Sequence, residues 1–155
     1  MTDTELITDY QQAIRVQAAP DVLFDALTTL DGLAGWWTDV TGSGSEGGEL
    51  KFFFSFPQPC VMRVDEATRP TVVRWTVTSC DFLPDWVGTR PMFRIVDVVG
   101  GASELRFRHH GLTAELDCIQ DCTAGWNHFL TSLRRYVESG RGMPRGSTEE
   151  QARRG

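Results

Sequence analysis

Apolar and polar side chains change places with a period of two through most of the middle of this chain. Leu50, Phe52, Phe54 and Phe56 alternate with Lys51, Phe53 and Ser55, and Val61, Arg63 and Asp65 oppose Met62, Val64 and Glu66. Val73, Trp75 and Val77 oppose Arg74, Thr76 and Thr78. Phe93 and Ile95 flank Arg94, and Leu105, Phe107 and His109 oppose Glu104, Arg106, Arg108 and His110. Successive strand residues point to opposite faces, so this pattern, broken by Gly and Pro roughly every ten residues, predicts an antiparallel meander with one wet face. Ahead of it, Tyr10 to Ala18 predicts a first strand. Ala19-Pro20-Asp21 then opens a short helix through Leu27, because proline at the first helical position loses no hydrogen bond and Asp21 suits the positive helix end. A second short helix is expected over Leu30 to Gly35, ending at Trp36-Trp37.

The period changes to that of a helix near the C-terminus. Cys118, Cys122, Trp126, Phe129, Leu133 and Tyr136 recur every three or four residues and, with Leu130 and Val137, form one apolar stripe. Asp117 and Asp121 near its start and Arg134 and Arg135 near its end match the helix dipole, and Gly140 is the expected stop. The segment from Gly140 to Gly155 has almost no apolar anchor. It predicts a domain over residues 1–140 followed by a flexible tail over 141–155.

Composition narrows the partners. Fifteen Lys and Arg against 21 Asp and Glu leave a net charge of −6, which argues against nucleic acid or an anionic membrane surface. The acidic start, with Asp3, Glu5 and Asp9, has no apolar run, so neither a signal peptide nor a membrane span is expected, and the chain reads as cytoplasmic. Four cysteines, Cys60, Cys80, Cys118 and Cys122, are too dispersed for a disulfide scaffold and read as reduced core residues.

The order of strand, two short helices, strands and one long helix resembles the START-like (SRPBCC) superfamily. Local motifs are similar to its branch named for the activator of Hsp90 ATPase. They are Ala19-Pro20-Asp21-Val22-Leu23-Phe24-Asp25-Ala26-Leu27-Thr28, Trp36-Trp37, Trp86-Val87-Gly88-Thr89, Leu105 to Leu112, and Gly125 to Leu133. The resemblance implies an α+β helix-grip fold: a curved antiparallel β-sheet wrapped around a long C-terminal α-helix, with two short helices after the first strand. It also implies a cavity between sheet and helix that holds a small hydrophobic ligand. The superfamily spans carriers, cyclases, receptors and co-chaperones, so fold analogy selects no one function.

Alternation turns Phe52, Phe54, Trp75, Phe93, Phe107 and His109 inward, and the helix stripe adds Trp126 and Leu130. With Trp37 these nine are the candidate ligand-binding residues; ordinary core packing is the competing account for each. An inward His109 needs hydrogen-bond partners and could anchor a ligand or serve as acid or base near neutral pH. His110 is expected to face solvent and His128 to lie off the helix stripe. Cys118 and Cys122 share a helix face but have no third or fourth ligand at zinc spacing. Gly42-Ser43-Gly44-Ser45-Glu46-Gly47 fits a dinucleotide fingerprint in letters only, since a strand rather than a helix follows it. Asp65 and Glu66 are expected on opposite faces of their strand, and the outward arginines 74, 94, 106 and 108 are expected to pair with Glu104 and Asp65. No metal site, cofactor motif or nucleophile triad is legible.

Three functions follow. The first is non-catalytic binding of a lipid-like or aromatic ligand. The second, implied by the resemblance, is interaction with an Hsp90-type chaperone. The third is a cyclase or dehydratase using His109. Homodimerisation is expected as the commonest assembly of such domains.

Overall fold

The computed structural model describes residues 9–154; the reading of the acidic start at Asp3 and Glu5 lies outside them. β1 (Tyr10–Val16) leads through Ala19-Pro20 into α1 (Pro20–Thr28) and α2 (Leu30–Trp36). Thr29 separates the two short helices and caps the second, its hydroxyl accepting from Gly32 N–H at 3.1 Å. The strands β2 (Asp39–Gly42), β3 (Glu49–Phe53), β4 (Cys60–Thr68), β5 (Val72–Cys80), β6 (Arg90–Val98) and β7 (Ala102–His110) follow. All pair antiparallel in a seven-stranded sheet of order β1-β7-β6-β5-β4-β3-β2. β1 returns to the far edge beside β7 because the two short helices carry the chain across the sheet before the meander begins.

α3 (Ile119–Ser139) follows the sheet and presses Cys122, Trp126, Phe129, Leu130, Ser132 and Leu133 into the interior. Gly140 ends it in the left-handed region at φ 85°, its N–H donating to Tyr136 O at 2.7 Å. The core joins this face to α1, to Trp36 and Trp37, and to the inward residues of β3 through β7. No described helix is long and apolar enough to cross a membrane. The helix-grip architecture implied by the resemblance is the one observed, and the antiparallel meander read from the alternation forms its sheet.

Several local readings change. The alternation does not mark β2; Thr38 Oγ1 donates to Phe53 O at 2.5 Å beside the pairing of Asp39 with Phe53. β3 ends at Phe53, so Phe54 is only half-buried and Phe56 is exposed in the following loop. A bulge at Asp65 turns both Asp65 and Glu66 to the outer face: Asp65 accepts from Arg63 and Thr76, and Glu66 binds Arg74 at 2.8 Å. Arg106 pairs with Glu104 on its own strand at 2.6 Å, and Arg108 with Asp9.

The expected flexible tail is the main departure. Residues 141–147 run back along the helix, where Met143 meets Ser132 and His128, and α4 (Thr148–Arg154) brings the Arg153 guanidinium over the Phe129 ring at 6.0 Å. Ser132, fully buried in α3, donates to Trp36 O at 2.7 Å and accepts from Met143 N–H at 2.5 Å. Arg145 N–H donates to Trp37 O at 2.6 Å. Glu150 has no exposed surface; it accepts from Gly146 N–H at 3.0 Å and Arg154 Nε at 2.6 Å, with Arg153 at 3.4 Å and Arg145 at 3.9 Å. Polar anchors therefore hold a segment whose lack of apolar residues had suggested disorder.

Candidate functional site

The interior between sheet and helix is filled at one end and open at the other. At the filled end Trp126 lies 4.4 Å from the Phe107 ring and 5.1 Å from Trp37, while Trp75 stacks on Trp37 at 6.0 Å and meets Phe93 edge-on at 5.0 Å. Ring pairs at these separations are favourable packing and leave no space between them for a ligand.

His109 sits in this packed end. Trp126 Nε1–H donates to its Nδ1 at 2.9 Å, and its Nε2 lies 2.7 Å from Thr89 Oγ1. The Thr89 hydroxyl donates onward to Trp86 O at 2.6 Å. The three contacts fix the tautomer, because Nδ1 must accept and Nε2 must donate. Burial is the main reason its pKa is pushed down to about 3; the Asp9 carboxylate pulls the other way but does not offset it, and His110 adds to the drop. His109 is thus a neutral, fully buried imidazole with both nitrogens engaged, and no nitrogen is left for a substrate. His110 reaches Asp9 at 3.3 Å on the surface, and His128 bonds Met143 O at 2.9 Å.

The open end is a groove of about 730 Å³. Trp37, Phe54, Trp126 and Phe129 form its apolar floor. Phe56, Phe82, Leu83 and Trp86 form one lip; Phe56 and Phe82 stack at 4.6 Å, joining the loop after β3 to the loop after β5. The α3 wall is Cys118, Asp121, Cys122, Ala124 and Gly125, and a methyl group built on Gly125 would meet nothing within 4 Å. Arg145, Arg153 and Arg154 reach the groove from the C-terminal segment. Burial holds the Arg145 guanidinium below its ordinary pKa, and its Nε is buried with no hydrogen-bond partner among the described residues.

Of the nine sequence candidates, Trp37, Phe54 and Trp126 line this groove. Phe52, Trp75, Phe93, Phe107, His109 and Leu130 do not; they belong to the packed core. Alternation identifies which side chains point inward, but it cannot distinguish a filled interior from an open one. Arg145, Phe82 and Trp86 were missed because they come from segments without an apolar period, and Arg153 and Arg154 because the segment after Gly140 reads as a flexible tail. All four cysteines line the groove as free thiols. Among the described residues no group of three or more His, Cys, Asp or Glu could hold a metal ion.

Comparison with known proteins agrees with this architecture. No curated protein sequence matches the chain. Among solved structures, the Aha1 dimer from Colwellia psychrerythraea is 30% identical, with a TM-score of 0.75 over 86% of this chain and 98% of that one. An Hsp90 activator from Plasmodium falciparum superposes with a TM-score of 0.68 at 17% identity, over 86% of this chain and 97% of that one. CalU16 from Micromonospora echinospora gives 0.69 at 16% identity, over 92% and 79%. At those two identities the likeness is one of fold. Residues 17–138 match the family described as activator of Hsp90 ATPase homolog 1-like protein, so the chain belongs to that family.

Proposed function

We propose that the protein binds a small apolar or aromatic ligand carrying an anionic group, without catalysing its conversion. The observation that carries this reading is the groove itself: an aromatic floor under a mouth edged by Arg145, Arg153 and Arg154. Burial of ~300 Å² of apolar ligand surface at about 25 cal/mol/Å² contributes roughly 7 kcal/mol before association costs, to which contacts between the arginines and an anionic head would add. An acidic protein that gathers arginines at an aromatic-floored groove selects for a carboxylate or sulfonate head over a cation. Asp121 and the buried Glu150 temper that charge, so the preference is moderate.

Fluorescence titration tests both parts. N-phenyl-1-naphthylamine, a neutral probe, should bind in the micromolar range, and dodecanoate should displace it at several-fold lower concentration than dodecanol. Arg145→Gln with Arg153→Gln should abolish that difference and leave the neutral probe bound. If neither probe nor competitor binds, the reading fails.

A second reading rests on the outer face of the sheet, where Arg74, Arg94, Arg106 and Arg108 border a broad shallow depression with Gln11 and Gln12. Such a face suits an acidic protein surface, and the family's namesake partner is a chaperone. Capture of a purified Hsp90-type chaperone by the wild type, weakened by charge reversal at Arg94 and Arg106, would support it. Undiminished capture or none would remove it.

A further inference from the structure

Cys60 opens β4 and Cys80 closes β5, and the two are direct cross-strand partners. They stand at equal distances on either side of Pro70. The bulge at Asp65 on β4 is cancelled by a register shift at Thr78 on β5, so the pairing is restored just where the two cysteines meet. Opposed residues in an antiparallel pair hold their Cα atoms about 4.5–5.5 Å apart, inside the roughly 4.4–6.8 Å that a disulfide spans. Both thiols are buried from bulk solvent yet line the groove, so a small oxidant reaches them through its mouth.

We infer that Cys60 and Cys80 form a reversible oxidation site, in which hydrogen peroxide entering the groove converts the two thiols to a cross-strand disulfide.

The step balances. The Cys80 thiolate attacks one peroxide oxygen, the O–O bond breaks, and the departing hydroxide takes a proton to become water. The Cys60 sulfur then attacks the resulting sulfenic acid; the S–O bond breaks and a second water leaves with the Cys60 proton. Two thiols are oxidised by two electrons and one peroxide is reduced to two waters. The pair has a built-in order of reaction. The Cys60 S–H donated to Cys80 holds the Cys80 thiol below its ordinary pKa against the opposing effect of burial. The same bond, with burial, pushes Cys60 up. Cys80 is therefore the attacking sulfur and Cys60 the resolving one.

The other two cysteines are worse placed to bridge. Cys118 and Cys122 are four residues apart at the start of α3, and that spacing sets Cβ atoms about 5–6 Å apart, beyond the roughly 3.5–4.5 Å a disulfide uses. The consequence of the Cys60–Cys80 bond is local to the groove. Phe56 precedes Cys60 and Phe82 follows Cys80, so the bond would tie together the two loops whose stacked rings make the lip. This inference is independent of any ligand in the groove.

The experiment treats folded, full-length protein with hydrogen peroxide, then unfolds it in iodoacetamide and digests it with trypsin. Cys60 falls in peptide 52–63, Cys80 in 75–94, and Cys118 and Cys122 together in 109–134, so each pairing has its own mass. The expected result is a 52–63/75–94 cross-link with the loss of two hydrogens, reversed by dithiothreitol. It should be unchanged in a Cys118→Ser/Cys122→Ser variant. Cys60→Ser should leave Cys80 as a sulfenic acid that dimedone traps; should that variant fail to fold, the wild-type cross-link decides alone. Four alkylated thiols after treatment, a cross-link between chains, or a bond confined to peptide 109–134 would overturn the inference.

Discussion

Trp126 Nε1–H donates to Nδ1 of His109 at 2.9 Å, and this bond ties the long helix to the sheet through an imidazole that must stay neutral. Protonating Nδ1 would set a second N–H against the indole N–H. The group was a candidate ligand anchor; its hydrogen bonds make it a structural one.

The pH dependence follows from the sign of its shift. His109 titrates at about 3 in the fold against 6.5 ordinarily, so between these values the unfolded chain binds a proton that the folded chain does not. Stability from this group is complete above pH 6.5 and drains as the pH falls toward 3. By pH 4.5 the loss is about 2–3 kcal/mol. Urea unfolding from pH 7 to 4.5 should show this slope in the wild type and a much flatter one in His109→Gln. Equal slopes would mean that carboxylates account for the acid sensitivity.

Gly125 separates folding from binding. It lies inside α3, and a Cβ there would project into open groove. Gly125→Ala should raise stability by about 1 kcal/mol, since glycine carries the larger entropy cost in a helix. Gly125→Phe should keep the fold and weaken binding of N-phenyl-1-naphthylamine at least tenfold by occupying the probe's space. Unaltered binding in a folded Gly125→Phe protein would place the probe elsewhere.

Ser132 tests the anchoring of the C-terminal segment. Ser132→Ala leaves Trp36 C=O and Met143 N–H buried without that partner, a loss of about 1–3 kcal/mol. Thermal unfolding should move down by several degrees, with peptide bonds after Arg141 and Arg145 cut by trypsin much faster. No change in either would show that the segment is held by its other contacts.

Glu150 adds a second pH signature to the same segment. Burial raises its pKa, but the Gly146 N–H and the Arg154 and Arg145 guanidinium groups outweigh that, so the carboxyl titrates below its ordinary value. The stabilisation it gives is present above the ordinary glutamate range and lost as the pH drops through the lowered value. Glu150→Gln should make the tail as protease-sensitive at pH 7 as the wild type becomes only in acid; equal protection at pH 7 would count against the charge as the anchor.

The sheet, the two short helices and the long helix were legible because each buries one periodic face, and period alone distinguishes a strand from a helix. Phe54 and Trp126, which line the groove, were legible as inward-facing for the same reason, and Trp37 from the pair that ends the second short helix. What escaped was set by single contacts. Thr38 bonds Phe53 beside β2, Asp65 occupies a bulge, and Ser132 and Glu150 hold a segment with hardly any apolar residues. The Cys60–Cys80 pairing left one trace in the sequence, its symmetry about Pro70, which gains meaning only once two bulges are known to cancel. His109 shows the complementary limit. An inward histidine reads the same whether its nitrogens meet a ligand or a tryptophan.

The arginines at the groove mouth come from residues 141–154, beyond the stretch 17–138 that carries the family likeness. The helix-grip body and the cationic rim of the groove therefore occupy successive lengths of polypeptide. Under the proposed reading, exchanging residues 141–154 for a segment without arginines would change the head-group preference of the groove while leaving the β-meander untouched.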